Sequence, residues 1–159
     1  MIIRGQASSG TPDVFVDDFK YFTCNQKPFI CVSYDDGLLT QYTNGKAKLD
    51  QYDIKASFNV IWNELTPGTN LETSHHDILS SQGHDICGHG GTNLTTLSQA
   101  DRLTDLIAEK KYLLPYKGNN FYAFPNGAYN DAVLEDIRNY FSVFSTIDWL
   151  PNTKEYLPG

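Results

Sequence analysis

The chain has 159 residues, of which 40% are apolar, and carries a formal net charge of −7. That length supports one domain around one core. An acidic balance without a basic stripe excludes nucleic acid and anionic membrane surfaces as partners, and no apolar run is long enough to span a bilayer. The first 28 residues read as an N-terminal extension to a domain over 29–159. Within the extension, Gln6 to Pro12 is a loop, and Val14 to Phe22 is a strand or a short helix. Residues 1–25 lack a basic start followed by an apolar run, so no secretory signal is expected.

From residue 29 a regular alternation begins. Phe29 to Tyr34 is short, apolar and β-rich, the pattern of a buried strand. Leu38 to Tyr52 follows as a helix, Ala56 to Ile61 as a second strand, and Glu72 to Ser81 as a helix ended by Gly83. His84 to Cys87 is a third strand. Ser98 with Asp101 three residues on forms a capping pair, and Leu103, Leu106 and Ile107 continue at helical spacing over 99–112. Phe121 to Phe124 is a fourth strand. Asn130 caps a helix bearing Val133, Leu134, Ile137 and Phe141 on one face, and Ser142 to Ile147 is a fifth strand. Such alternation predicts parallel βαβ units. Their right-handed crossovers bring the C-terminal ends of successive strands to one rim, where ligands bind.

Polar residues stand at that rim after four strands. Asp35 and Asp36 follow the first, His89 and Asn93 the third, Pro125-Asn126-Gly127 the fourth, and Asp148-Trp149 the fifth. Adjacent carboxylates repel unless a cation lies nearby. A divalent metal would relieve Asp35-Asp36, with one carboxylate binding it and the other free as a general base; an Asp-Gly turn with Asp36 capping the helix is the simpler alternative. His89, flanked by Gly88, Gly90 and Gly91, is either a loop histidine or the metal's second ligand. Asn93, four residues on, could add an amide oxygen. Such an Asp/His/oxygen trio with open positions suits zinc or a similar ion, able to activate water and polarise a carbonyl. His75, His76 and His84 lie away from the rim and read as structural or surface residues. Cys24, Cys31 and Cys87 form neither a disulfide framework nor a zinc ribbon, and Cys31 and Cys87 are expected to be buried and inert. The ten Tyr, nine Phe and two Trp serve either amphipathic packing or stacking on sugar rings.

With these residues in view, the chain from about residue 29 to 150 resembles the polysaccharide deacetylases of the NodB-homology type, carbohydrate esterase family 4. Ser33-Tyr34-Asp35-Asp36-Gly37 is similar to the family's Thr-Phe-Asp-Asp-Gly. His89-Gly90-Gly91-Thr92-Asn93 resembles its His-Ser/Thr-x-x-His, with Asn in the second ligand place. Ala123-Phe124-Pro125-Asn126-Gly127 resembles Arg-x-Pro-Tyr-Gly, with Ala in place of the Arg that would steady the base. Ser145-Thr146-Ile147-Asp148-Trp149 resembles Asp-x-x-Asp-Trp, and the Leu-x-His motif with the general-acid His does not occur. The resemblance implies an α/β fold, a distorted (β/α) barrel that at this length is incomplete. It implies a divalent metal, zinc above all, held by Asp36, His89 and Asn93. Asp35 would be the catalytic base, the Asn126 N–H an oxyanion donor, and Tyr34, Pro125, Asp148 and Trp149 substrate contacts. The implied reaction is removal of acetyl groups from an N-acetylglucosamine polymer, peptidoglycan or acetylated xylan, outside the cell or on a virion. The missing ligand, Arg and acid favour an alternative: a non-catalytic module of the same fold, used for glycan binding or as a part of a larger assembly, an oligomer or a phage particle.

Overall fold

The computed structural model describes residues 3–6, 13–16 and 31–146. Strands β1 (Ile3–Gln6) and β2 (Asp13–Val16) pair antiparallel in a ribbon of their own. The expectation of a strand or helix from Val14 thus resolves to strand as far as Val16, and 17–22 lie outside the described residues.

The main sheet holds β3 (Val32–Tyr34), β4 (Ala56–Val60), β5 (Asp85–Gly88), β6 (Phe121–Ala123) and β7 (Val143–Ser145). All four pairings are parallel, and the strands stand in chain order. A doubly wound sheet reverses its order at a switch point; this one steps in a single direction, as a barrel wall does. The expected incomplete (β/α) barrel is therefore the architecture found. Strand β4 is covered on both faces, since Phe58, Asn59 and Val60 are buried in succession, as parallel strands under crossover helices are.

The helices are α1 (Ala47–Gln51), α2 (Thr73–Ser81), α3 (Gln99–Leu113) and α4 (Asp131–Ile137). The expected helix over 38–52 is not uniform: Gln41–Lys46 is a π-turn that runs into α1. Gly45 lies in it, and a side chain there would meet the Tyr34 ring at 3.0 Å. Helix α3 starts where predicted, because Ser98 Oγ accepts from the Asp101 N–H at 3.2 Å. Its buried stripe is Arg102, Leu106, Glu109 and Leu113, a helical spacing with two charged members. Arg102 is neutralised by Asp136 of α4, through Nε at 2.7 Å and Nη2 at 2.5 Å. Gln99 donates to the other Asp136 oxygen at 3.0 Å, so the α3–α4 contact is polar at its centre. Phe58, Ile86, Leu106, Tyr122, Phe124 and Phe141 fill the core.

Histidines 75, 76 and 84 do prove structural. His75 Nδ1 accepts from the Glu72 N–H at 3.0 Å in a capping box, and His84 Nδ1 accepts from the Ala56 N–H at 3.1 Å. His76 is buried with Nδ1 2.6 Å from the Tyr112 hydroxyl. Cys87 is buried as expected, and burial pushes its thiol up to about 12. Cys31 departs from expectation and is exposed. It precedes the strand proper as a bridge residue, before the sheet is covered.

Candidate functional site

The C-terminal ends of β3, β5 and β6 deliver Asp35-Asp36, His89 and Pro125-Asn126-Gly127 to one rim. The turn after β3 takes two left-handed residues in succession, Asp36 at φ 75° and Gly37 at φ 62°. Asp tolerates that region better than most side chains, and Gly enters it freely. The turn is pinned to the following loop: the Leu71 N–H donates to the Gly37 carbonyl at 2.7 Å, and the Leu39 N–H to the Thr69 carbonyl at 2.8 Å.

This conformation aims Asp36 at His89, and Oδ1 lies 3.1 Å from Nε2. On its other side the His89 ring reaches the Ala123 carbonyl, with Nδ1 at 2.9 Å. A carbonyl only accepts, so Nδ1 carries the proton. In the neutral ring, Nε2 then presents a lone pair to a carboxylate oxygen. Two acceptors at that distance require a proton or a cation between them. One ring nitrogen facing inward to a backbone carbonyl, with the other turned toward a carboxylate, is also how a ligating histidine is oriented. His89 is nearly covered, with 8% side-chain exposure, whereas Asp36 is 60% exposed, so the pair opens toward solvent on the carboxylate side.

Asp35 points another way. Its Oδ1 accepts from Asn59 Nδ2 at 2.6 Å, and the same amide reaches Ser33 Oγ at 2.9 Å. Its main-chain carbonyl accepts from the Gln41 side-chain amide in the π-turn. The two carboxylates are thereby separated in task, with Asp36 facing the histidine and Asp35 steadied by a neutral donor.

Other predicted residues take different places. The Asn93 amide oxygen accepts from Thr95 N at 3.0 Å and Thr95 Oγ1 at 2.8 Å, capping the 3-10 turn Leu94–Thr96. Both lone pairs of that oxygen are engaged there. Tyr34 stacks on Phe58 at 5.2 Å and lies against Gly45, so its ring belongs to the packing. Pro125 is buried, and Asn126 sits at φ 55°, ψ 17°. The hydrogen bonds closing that turn are donated by Gly127 at 2.9 Å and Ala128 at 3.1 Å rather than by Asn126. Asp148 and Trp149 lie outside the described residues.

Three supporting residues were not foreseen. Asn59 holds Asp35. Glu109, with no exposure, accepts through Oε1 from the N–H groups of His89 at 2.9 Å and Gly90 at 3.0 Å. Burial pushes its carboxyl up to about 8, against the pull of those two N–H groups. Tyr122, also fully buried, fills the space beside Gly90, where a Cβ would stand 2.2 Å from its hydroxyl. Helical spacing offered one signal, since Glu109 falls on the stripe of Leu106 and Leu113.

As a cation site, the donor set fits in part. A carboxylate and an imidazole nitrogen converge with open positions beside them, but among the described residues no group of three His, Cys, Asp or Glu could hold a metal.

A profile of the polysaccharide deacetylase family matches residues 23–141. A chitin deacetylase of Colletotrichum lindemuthianum is 29% identical over 110 residues, which cover 66% of this chain and 40% of that protein. Among solved structures, the Streptococcus pyogenes deacetylase PplD in complex with acetate superposes with a TM-score of 0.62 at 24% identity, over 72% of this chain and 54% of the other. A polysaccharide deacetylase from Bacillus cereus gives 0.66 at 20% identity, over 74% and 39%. At these identities the structures establish the fold. The chain spans about half or less of the length of these relatives.

Proposed function

The chain belongs to the polysaccharide deacetylase family, and from that premise we propose that it is a metal-dependent hydrolase removing acetyl groups from a glycan, with residues 29–159 as the working unit. The observation that carries this reading is the convergence of Asp36 Oδ1 and His89 Nε2 at 3.1 Å, beside an Asp35 held separately by Asn59. Asp36 and His89 would hold a divalent ion, zinc by the family resemblance, with water in the open positions. Asn93 would join only by giving up its capping bonds. When bound, the ion supplies Lewis acidity toward the acetyl carbonyl.

The chain's own groups do the rest. Asp35 takes a proton from the attacking water as general base. The water oxygen bonds to the acetyl carbon, the bond from that carbon to the sugar nitrogen or oxygen breaks, and the proton on Asp35 passes to the leaving atom. Acetate and a deacetylated sugar result. The Asn126 N–H, in its left-handed turn, is the candidate oxyanion donor. Pro125 shapes the wall beside it, and Asp148 and Trp149 are retained as candidate substrate contacts. The substrate is an acetylated polysaccharide, which places the action outside the cell or on a virion. Among the described residues no helix is long and apolar enough to cross a membrane.

The test is acetate release from chitooligosaccharide, peptidoglycan and acetylxylan, with metal content measured in parallel for wild type and His89→Ala. Metal in the wild type, its loss in the variant, and acetate release that a chelator stops are the expected results. A protein that holds no metal and frees no acetate, yet still binds the glycan after Asp35→Ala, would establish the non-catalytic module instead.

A further inference from the structure

We propose that Glu109 is a positioning residue for His89, holding the His89-Gly90 turn so that the imidazole faces Asp36. The inference rests on the reading of His89 as a metal ligand, and its own support is geometric. One oxygen, Oε1, receives two successive N–H groups, from His89 at 2.9 Å and from Gly90 at 3.0 Å. Consecutive amides converging on one oxygen make a nest, which forms when neighbouring residues alternate between right- and left-handed backbone; Gly90 supplies the left-handed member at φ 63°. Tyr122 stands on the same side of Gly90 as the carboxyl and leaves no room for a side chain there, so the turn is packed closely against both.

The placement has no evident packing motive. Glu109 sits between Leu106 and Leu113 on the buried stripe of α3, where an aliphatic residue would bury no polar atom. Burying a carboxyl there is costly unless it is fully hydrogen-bonded, and its second oxygen, Oε2, has no hydrogen-bond partner among the described residues. The position therefore gives up stability, and what it gains is control of one backbone turn. That turn carries the ring whose Nδ1 is fixed by Ala123 and whose Nε2 meets Asp36. Without Oε1 the Gly90 N–H loses its acceptor, and the His89 N–H keeps only the Val60 carbonyl at 3.2 Å.

Cobalt(II) binding to the whole chain tests this, read by calorimetry and by the visible spectrum of the bound ion. Glu109→Gln keeps an oxygen acceptor and should bind cobalt as wild type does. Glu109→Met fills the same space without an acceptor; its Kd should rise by about 10- to 100-fold, the usual effect of removing a partner behind a ligand, while its melting temperature holds or rises. An unchanged Kd and spectrum in a folded Glu109→Met would overturn the proposal, as would a Kd loss shared equally by Glu109→Gln. Should Glu109→Met fail to fold, Glu109→Asp, with the carboxyl withdrawn by one methylene, decides by the same Kd criterion. Should wild type bind no cobalt, the metal reading fails on its own, and nitrogen NMR of the His89 ring decides here. The proposal then requires a single Nδ1–H tautomer in wild type and Glu109→Gln that becomes mixed in Glu109→Met or, where that variant does not fold, in Glu109→Asp. An unchanged ring spectrum in the variant read refutes it.

Discussion

Glu109→Gln should remove a specific pH dependence of stability. In the native state burial holds the carboxyl at about 8, against an ordinary value of 4.5. A raised native pKa means that the folded protein holds a proton the unfolded chain has released. The contribution is therefore complete below about 4.5 and is lost as pH rises toward 8. One proton gives a slope of at most about 1.4 kcal/mol per pH unit, so about 3 kcal/mol separates pH 5 from pH 7 on this account. His76 acts in the opposite sense: burial holds it at about 4 instead of 6.5, so its contribution is present above 6.5 and fades as pH falls. The wild-type profile is thus flattened in the overlap and falls from pH 6.5 to 8. Urea unfolding followed by circular dichroism, at four pH values with chelator present, measures both proteins. The gap between Glu109→Gln and wild type should move in favour of the variant with each step up in pH. Parallel curves, offset by a constant, would refute the reasoning.

His76→Phe should flatten the acid limb of the same profile, and an acid limb identical to wild type would count against a buried neutral imidazole at that place. Gly90→Ala puts a methyl 2.2 Å from the Tyr122 hydroxyl at φ 63°; it should cost about 1–3 kcal/mol, and a thermal midpoint equal to wild type would contradict the packing described. Asn59→Leu removes the donor to Asp35 while leaving Asp36 and His89 in place. Metal content should persist and kcat/KM for acetate release should fall by about 10- to 100-fold, the scale of a lost hydrogen bond to a charged group; undiminished activity would show that Asp35 needs no such support.

The strands and the rim residues were legible because both depend on local pattern. Short apolar runs mark β3 to β7, and chemistry-bearing residues stand directly after them. What supports those residues was not legible. In Ala56-Ser57-Phe58-Asn59-Val60 the alternation of small polar and apolar residues assigns Asn59 to an open face, yet the strand is covered on both sides and Asn59 is 2% exposed. Glu109 precedes two lysines and reads locally as part of a solvated face, until the stripe through Arg102, Leu106 and Leu113 is traced. Asn93 shows the reverse case. Asn followed two residues later by Thr is an ordinary capping signal, and it outweighed the ligand spacing that His89 suggested. The π-turn over Gln41–Lys46 has no sequence period of its own, and the close approach of Gly45 to the Tyr34 ring is a contact distant in sequence.

The supports found share one property: they are neutral or negative. Asp35 is held by an amide, His89 by a backbone carbonyl and a buried carboxyl, and Ala123, where the sequence resemblance would put an arginine, offers its carbonyl to His89. The lysines and arginine in described ion pairs are engaged elsewhere, with Asp50, Asp53 and Asp136. Two adjacent carboxylates at the rim thus have His89 as their one described ion-pair partner, and only through Asp36. Carboxylates kept together with so little positive charge beside them support the proposed cation at Asp36 and His89. Asn59, a neutral donor, orients Asp35 without cancelling the charge that would draw the proposed divalent ion to its neighbour.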